Sequence, residues 1–406
     1  MVHQTIKTKT SPASKASSKI KPMSSFPLLR FSPFWAALAC VAIVGSLTAC
    51  SFTPSVPSPL PQSHEATAKN DALSRPVITQ AKSIWVPVPW SELPGFNHDA
   101  IHEAWPAWLQ SCQRPGPKWL ALCPEVRQLA NASVTQQRQW IRQNLQAYRV
   151  ESPQKQAEGL LTAYYEPVLS ASRLPRPGFS VPVYAPPAQL NQRSPWYSRQ
   201  EIETTPAARN ALRGKELVYL ADPVDAMVLH IQGSGLVNVN EPDGRQRLLR
   251  LAFAGTNEQA YKSIGRWLLD QGLVRDASWP GIKDWIERNP TRLNELLWQN
   301  PRFVFFKEEA LPMGVTPPGP KGAQGVPLTA GRSIAVDRAS IPYGTPVWLQ
   351  STGPQISLDR LVLAQDTGSA IVGAVRADYY VGSGPAAGEL AGRLKQPLKL
   401  WVLWPR

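Results

Sequence analysis

Two aspartates near the C-terminus are the residues of this chain best suited to acid/base chemistry. Asp366 and Asp378 lie twelve positions apart, and the segment between them is rich in glycine, serine and alanine. Small residues let a backbone pass close to a bulky ligand. Asp366 also follows an apolar run of strand type at 361–364. The pattern predicts an active site within residues 364–380 that performs acid/base chemistry on an uncharged polymer.

Short β-strands are expected to position these aspartates. Beyond residue 302 the sequence alternates between apolar runs and turns rich in glycine and proline. Short strands at this spacing are typical of a β-barrel. The predicted strands span residues 303–306, 333–337, 345–349, 361–364 and 398–403.

A hydroxyl and two aromatic rings stand together earlier in the chain. Residues 159–167 form an apolar strand pattern in which Thr162 is followed closely by Tyr164 and Tyr165. A threonine hydroxyl beside tyrosine rings suits a sugar site. A buried strand with cross-strand aromatic pairs would show the same pattern, so both interpretations stay open.

The region 181–237 is predicted to be mostly β-structure. Alternation through Val228, His230 and Gln232 places polar side chains on one face of a strand. The strand runs into a turn that contains Gly233 and Ser234. This turn is weak support for a ligand site, because a plain hairpin has the same composition. It is not a nucleophile elbow, since the Gly-x-Ser-x-Gly spacing is absent.

The predicted helices are structural in character. Residues 256–259, Thr-Asn-Glu-Gln, match a capping box, and a helix is expected from there to Gly272. None of the predicted helices collects acidic residues on one face. The other predicted helices span residues 98–109, 133–148, 281–288 and 291–299.

The N-terminus is typical of an exported lipoprotein. A basic segment leads into a short apolar stretch and then into Leu-Thr-Ala-Cys, which ends at Cys50. We expect residues 1–49 to be a signal peptide and Cys50 to carry the lipid anchor. Ser51 after the cysteine is typical of sorting to the periplasmic face of the outer membrane in Gram-negative bacteria. An uncleaved membrane span is the alternative, although the stretch is short for a bilayer core. Residues 50–83, rich in proline and small polar residues, are predicted to be a flexible tether.

Two cysteines remain after such processing, Cys112 and Cys123. In the oxidising compartment that the signal implies, they are predicted to form a disulfide. His98 and His102 have a spacing that metal sites use, but no HExxH motif is present, and a solvated helix face is the preferred interpretation. No metal and no cofactor are predicted.

The chain is basic, with a formal net charge of +14 over 406 residues. A positive surface is compatible with nucleic acid, anionic lipid or an acidic cell-wall polymer. The sequence contains no basic-aromatic nucleic-acid motif, so nucleic acid is not an expected partner.

Several motifs, in a consistent order, resemble the membrane-bound lytic murein transglycosylase A family. Residues 162–165 and 231–235 match two of them. The C-terminal module of the family is named for three aspartates, here Asp337, Asp366 and Asp378. Further matches lie at residues 260–265, 300–306 and 382–388.

The resemblance covers about residues 84–406 and implies a mainly β fold. A double-psi β-barrel domain would be built from residues 84–165 together with 301–406. A second β-rich domain that carries helices would be inserted at residues 166–300. The substrate would lie in a groove between the two domains.

The resemblance also implies an activity. The family cleaves the β-1,4 bond between N-acetylmuramic acid and N-acetylglucosamine in peptidoglycan without water, leaving 1,6-anhydromuramic acid ends during cell-wall turnover. An ordinary glycosidase needs two carboxyl groups. Here the C6 hydroxyl of the sugar replaces water, so one carboxyl group can act first as acid and then as base.

By position, that single carboxyl group is Asp378, with Asp366 in a supporting catalytic role. The pKa of Asp378 must be high enough for its carboxyl group to hold a proton at neutral pH. Asp337 is placed among the substrate-binding positions, with a structural role as its alternative. The other predicted substrate-binding residues are Thr162, Tyr164, Tyr165, Gln232, Gly233 and Ser234.

Two other functions remain possible from the sequence. One is a muramidase that uses the same site with water, and the other is a peptidoglycan-binding lipoprotein whose acid is idle. The chain also departs from the family pattern at Ala163, Ser369 and Val372. The expected partners are peptidoglycan glycan strands, the membrane through the lipid anchor, and a complex of cell-wall synthesis or hydrolysis enzymes.

Overall fold

A computed structural model of the chain describes residues 75–312 and 316–406. The predicted signal peptide, Cys50 and most of the predicted tether lie outside the described residues. The predicted tether ends at residue 83, but in the structure Ile78–Thr79 already forms a strand that pairs with Ile84–Pro87.

Across residues 75–312 and 316–406 the structure contains fifteen strands and ten α-helices. The strands are β1 Ile78–Thr79, β2 Ile84–Pro87, β3 Leu145–Glu151, β4 Gly159–Glu166, β5 Val168–Ser172, β6 Val181–Tyr184, β7 Glu216–Leu220, β8 Ser234–Asn240, β9 Gln246–Thr256, β10 Val304–Ala310, β11 Ser333–Val336, β12 Thr345–Thr352, β13 Ser357–Asp366, β14 Arg376–Ser383 and β15 Lys395–Pro405. The helices are α1 Trp105–Ser111, α2 Cys123–Gln128, α3 Val134–Asn144, α4 Arg199–Thr204, α5 Pro206–Leu212, α6 Pro223–Gln232, α7 Ile264–Asp270, α8 Trp279–Arg288, α9 Leu293–Trp298 and α10 Pro385–Arg393.

In the part of the chain that the structure describes, no helix is both long and apolar enough to cross a membrane.

Six strands close into a barrel. The sheet order is β15-β12-β13-β11-β14-β4, and β4 pairs back to β15. Two of the pairings, β11 with β13 and β14 with β4, are parallel, and the others are antiparallel. The eleven residues of β15 make closure possible, because its first part pairs with β4 and its later part with β12 and β3. The predicted mainly β barrel is confirmed.

The barrel interior is filled by alternating apolar side chains. Along β15, Leu398, Leu400 and Val402 are buried, whereas Lys399 between them is exposed. This period of two is what a strand with one buried face requires. A second apolar layer packs outside the barrel, where helices α1 to α3 cover Trp348 and Trp401.

A disulfide ties this outer layer together. Cys112 follows α1 and Cys123 begins α2, and the two are covalently linked with their Cα atoms 5.5 Å apart. Both cysteines are buried among tryptophans, including Trp108 and Trp119. Most of the tryptophans in this layer therefore belong to the core rather than to a ligand surface.

A second sheet of six strands follows β4 in the chain. Its order is β10-β9-β8-β5-β7-β6. The prediction assigned residues 301–406 to the barrel, but β10 pairs with β9 over its whole length. The chain therefore returns to the barrel sheet only at β11.

The prediction of mostly β-structure for residues 181–237 is wrong, because three helices, α4, α5 and α6, lie in this region. The strand expected through Val228, His230 and Gln232 is part of α6. Residues Pro223–Gln232 form α6, and β8 begins at Ser234. The Asp222 carboxylate accepts from the Val224 amide, Pro223 occupies the first turn, and Gly233 ends the helix with φ +80°. Proline at the start and left-handed glycine at the end are helix signals that the apolar run concealed.

The predicted helix start at residue 256 is also wrong. Strand β9 continues to Thr256, which pairs with Val304, and α7 starts only at Ile264 with Ser263 as its cap. The buried side chain of Asn257 bonds to the Phe303 amide and holds the connecting loop instead. Sheet pairing and this anchor outweigh the local capping pattern.

Candidate active site

Asp378 and Thr162 meet on two neighbouring strands of the barrel. Strands β14 and β4 are parallel, and their register sets Asp378 opposite Thr162. The Thr162 hydroxyl donates to Oδ1 of Asp378 at 2.5 Å. The other carboxylate oxygen of Asp378 accepts no hydrogen bond from the described residues, and the side chain lines a cavity. The structure therefore brings together two residues that were predicted separately, Asp378 as the acid and Thr162 as a substrate-binding residue, and Thr162 contacts the acid directly.

Arg376 completes this cluster, and the sequence analysis missed it. Its Nη2 atom donates to the Thr162 hydroxyl oxygen at 2.8 Å, and its Nη1 atom contacts the Leu160 carbonyl. The arginine thus orients the Thr162 hydroxyl so that its proton is directed to Asp378. The signal was present, because residues two apart on a strand share a face.

The environment keeps the Asp378 carboxyl group close to half-protonation in mildly acidic conditions. Burial raises the pKa of Asp378 to about 6. The hydrogen bond from Thr162 and the charge of Arg376 oppose this rise, and the negative charge of Asp366 adds to it. A carboxyl group with a raised pKa can hold a proton for a leaving group and later take one back.

Asp366 lies at the end of β13 and is fully engaged. Its Oδ2 accepts from the Tyr164 hydroxyl at 2.9 Å, and its Oδ1 accepts from the Ala323 amide at 2.8 Å. Burial raises the pKa of Asp366, and hydrogen bonds from the Thr367 and Ala323 amides and from Tyr164 partly offset the rise. Both oxygens are occupied, so this group is less free to exchange protons than Asp378.

A groove with two arms runs past these carboxyl groups. The first arm is a cavity of about 380 Å³ that contains Asp378, and the second arm is a cavity of about 430 Å³. The two arms are neighbours, because they share one wall. The shared wall consists of Tyr164, Tyr165, Gln232, Asp366, Thr367, Gly368 and Ser369.

The first arm is lined by residues from the barrel and by residues from the region of the second sheet. Thr162, Asp378 and Lys395 come from barrel strands, whereas Tyr261 and Trp279 come from the region of the second sheet. Neither Tyr261 nor Trp279 was predicted from the sequence. Tyr261 lay in a segment mistaken for a helix, and a tryptophan at the start of α8 has no distinguishing local pattern.

Gln232, Gly233 and Ser234 line the second arm, as their prediction as ligand residues requires. The Gln232 side-chain oxygen accepts from the Tyr165 amide at 3.0 Å, which fixes the end of α6 against β4. The Ser234 hydroxyl donates to the buried carboxylate of Glu166 at 3.1 Å. These two side chains therefore hold the groove wall in place as well as lining it.

A glycine allows α10 to pack against the groove wall. A Cβ atom added at Gly388 would lie 2.8 Å from the Tyr165 ring, closer than real Cβ contacts occur. Only a residue without a side chain permits this approach. The position of Tyr165 in the groove thus depends on a small residue in a different element.

Asp337 lies apart from both arms of the groove. Its carboxylate accepts from the Gly373 and Ala339 amides and forms an ion pair with Lys82 at 2.9 Å. Burial would raise the pKa of Asp337, but these partners outweigh it and hold the pKa below its ordinary value. The structure gives this residue the role of a loop anchor, which differs from its predicted place among the substrate-binding residues.

Among residues 75–312 and 316–406, no three or more histidine, cysteine, aspartate or glutamate side chains are grouped to hold a metal ion.

The barrel, the two-armed groove and the half-buried acid define a class of protein. It is an enzyme whose site is suited to acid/base chemistry in a groove. Comparison with known proteins identifies the family. Residues 160–307 match the family model described as the MltA specific insert domain, and residues 332–404 match the 3D domain.

Related proteins agree with these matches. The membrane-bound lytic murein transglycosylase A of Vibrio cholerae is 36% identical over 273 residues, which cover 64% of this chain and 69% of the relative. The solved lytic transglycosylase LtgG of Burkholderia pseudomallei is 40% identical, with a TM-score of 0.55, and the match covers 82% of this chain and 97% of that one. Escherichia coli MltA, solved with bound chitohexaose, is 28% identical with a TM-score of 0.61, over 75% of this chain and 89% of that one. The chain belongs to the membrane-bound lytic murein transglycosylase A family, which confirms the resemblance seen in the sequence.

Proposed function

We propose that this protein is a peptidoglycan lytic transglycosylase that uses Asp378 as its single acid and base. The substrate is the glycan strand, cut between N-acetylmuramic acid and N-acetylglucosamine. Membership of the family supports the reaction class. The chitohexaose bound to the Escherichia coli relative supports a glycan ligand for the groove.

One observation carries the assignment of Asp378. Of the two aspartates that line the groove, Asp366 has both oxygens occupied by donors from the protein. In Asp378 only Oδ1 accepts from a described residue, Thr162, and the side chain lines the first arm. Only Asp378 is therefore arranged to exchange a proton with a bound sugar.

The reaction can be written with Asp378 alone. Its protonated carboxyl group donates to the glycosidic oxygen, and the bond between that oxygen and C1 of the muramic acid residue breaks. The resulting carboxylate accepts the proton of the C6 hydroxyl while O6 bonds to C1. A 1,6-anhydro ring forms, the leaving strand keeps the first proton, and Asp378 ends protonated. No water is consumed.

The remaining groove residues support this step. Arg376 and Thr162 hold the Asp378 carboxyl group in one orientation, and the negative charge of Asp366 favours its protonated form. Tyr164, whose hydroxyl bonds to Asp366, and Tyr165 line the groove and would contact the sugar. An aromatic face beside hydrogen-bonding groups suits a sugar ring.

The reaction takes place at a membrane surface in this proposal. The relative from Vibrio cholerae is named as membrane-bound, and the Leu-Thr-Ala-Cys sequence provides Cys50 for acylation. A lipid on Cys50 and the segment that follows it would let the folded part reach peptidoglycan from the periplasmic face of the outer membrane. Association with other cell-wall enzymes is a further part of the proposal.

Product analysis tests the function. Purified sacculi are digested with the protein, and the released fragments are identified by mass spectrometry. We expect fragments one water lighter than those a muramidase releases, and none from the Asp378→Asn variant. Full-mass reducing ends would instead indicate a hydrolase. Retained sacculus binding without release by the unaltered protein would indicate a binding lipoprotein.

A further inference from the structure

The second arm of the groove carries cationic side chains that the proposed reaction does not use. Arg302, Lys307 and Lys321 all line this arm. The acidic residues that line it are Glu309 and, at the wall shared with the first arm, Asp366. The distribution of charge therefore depends on which cations already have partners.

Glu309 is already balanced by two cations. Its Oε1 accepts from Lys321 at 3.2 Å, and its Oε2 lies 3.7 Å from Arg250. Arg250 is in turn paired with the buried carboxylate of Glu166 at 2.6 Å. Glu309 therefore has no charge left to balance the other cations of the arm.

Lys307 and Arg302 remain uncompensated. Lys307 is exposed on β10, two residues from Glu309 and so on the same face of the strand. No carboxylate of residues 75–312 or 316–406 lies within ion-pair distance of Lys307. Arg302 is half-buried, and its Nη1 atom meets the Gln259 carbonyl at 3.5 Å. The arm therefore presents a net positive charge to whatever enters it.

An apolar platform lies beside these cations. Phe253 on β9 lines the second arm and is 52% exposed, which is unusual for a phenylalanine. An exposed ring in a groove offers a face for a sugar ring. The arm thus combines a place for a sugar with a positive charge next to it.

We propose that the second arm binds a carboxylate carried by the glycan strand, with Lys307 as its principal contact. This rests on the proposed function, because that function supplies the ligand. N-acetylglucosamine is neutral, whereas muramic acid carries a lactyl group. The lactyl group ends in a carboxylate on denuded strands, and on other strands it is joined to a peptide that has carboxylates of its own. Both sources offer the same chemistry to Lys307.

Binding measurements with three ligands test the proposal. All proteins carry Asp378→Asn so that the strands stay intact, and dissociation constants are measured by calorimetry. The ligands are chitohexaose, denuded glycan strands and peptide-bearing glycan strands. Lys307→Glu is expected to weaken binding of anionic strands on the order of tenfold, because it sets like charges together. Chitohexaose binding is expected to stay unchanged.

A matched variant separates local from general charge effects. Lys399 is exposed on β15 and lines neither arm, so Lys399→Glu makes the same change of net charge away from the groove. It is expected to leave all three affinities unaltered. The loss caused by Lys307→Glu should also shrink as salt is added, since exposed charges are screened.

Each outcome has one meaning. Loss with denuded strands alone assigns the lactyl carboxylate, and loss with peptide-bearing strands alone assigns the peptide. Loss with both shows that Lys307 binds either carboxylate. Equal affinities before and after Lys307→Glu, or an equal loss with chitohexaose, would overturn the proposal while leaving the reaction untouched. Failure of the Asp378→Asn parent to bind any of the ligands would overturn the proposed function together with it.

Discussion

The hydroxyl group of Thr162 lies 2.5 Å from Oδ1 of Asp378 and donates to it. This bond stabilises the carboxylate and so lowers the pKa of Asp378 against the effect of burial. Threonine at this position therefore does more than line the groove. It sets how readily the acid gives up its proton.

Replacing Thr162 with valine should shift the pH dependence of the reaction. Without the donor, the pKa of Asp378 rises above about 6. The acid then stays protonated to a higher pH, so the alkaline limb of the pH profile moves upward. The maximal rate should fall roughly tenfold, since about 1.5 kcal/mol of a charged hydrogen bond is removed. Rates measured across pH check this. Thr162→Ser keeps the hydroxyl and should behave like the parent, and an unmoved alkaline limb in the valine variant would refute the role.

Arg376 acts as a positioning residue through Thr162. Arg376→Gln removes a charge that lowers the pKa of Asp378, so the alkaline limb should again move upward. Arg376→Lys keeps the charge but loses the fixed geometry of the guanidinium group. We expect it to keep the pH limb near that of the parent and to lower kcat with little change in KM. If Arg376 had a purely structural role, Arg376→Gln and Arg376→Lys would both lose activity, and their pH profiles would be the same.

Burial of the ionised carboxyl group of Asp378 should lower the stability of the folded protein. The pKa of Asp378 is about 6 in the folded protein and near its ordinary value of about 3.9 when unfolded. The contribution of Asp378 to the free energy of unfolding is therefore fully present below about pH 4 and is lost as the pH rises through about 6. Asp378→Asn should raise the free energy of unfolding at pH 7 by on the order of 2 kcal/mol.

Thermal unfolding of the parent and the Asp378→Asn variant at several pH values measures this difference. The gap between the two Tm values should be widest at neutral pH and close towards pH 4. A gap that is constant with pH would mean that the asparagine acts through packing and not through the titration of the acid.

Asp337 should matter for folding and not for the chemical step. Asp337→Ala leaves the Gly373 amide without its acceptor, and loss of a charged hydrogen bond costs about 2 kcal/mol. The folded fraction should retain its kcat, as determined by active-site counting alongside denaturant unfolding. Lys82→Ala is the matched control and should cost less, because the Lys82 side chain is 46% exposed. A selective loss of activity with normal stability would instead support the predicted place of Asp337 among the substrate-binding residues.

The barrel could be predicted from the sequence because its strands carry their own signal. Short apolar runs such as 361–364 and 398–403 are bounded by glycine and proline, and they mark β13 and β15 correctly. The aspartates could be singled out because carboxyl groups between small residues are unusual in a buried segment. Local pattern and tertiary structure agree in this part of the chain.

The inserted region was harder because local patterns there favour the wrong element. The apolar run before Gln232 is strand-like in composition, but Asp222 and Gly233 bound it as a helix. The groove contacts of Tyr261 and Lys307 depend on which distant segments pack together. Such neighbours cannot be read from periodicity along one stretch of chain.

The central claim is that a sugar hydroxyl, and not water, completes the reaction at Asp378. The most direct measurement is to digest sacculi in water enriched in heavy oxygen and to analyse the new muramic acid ends by mass spectrometry. The proposed chemistry predicts anhydro ends that carry no heavy oxygen. Heavy oxygen at C1 of the new ends would show that water attacks the sugar and would contradict the account.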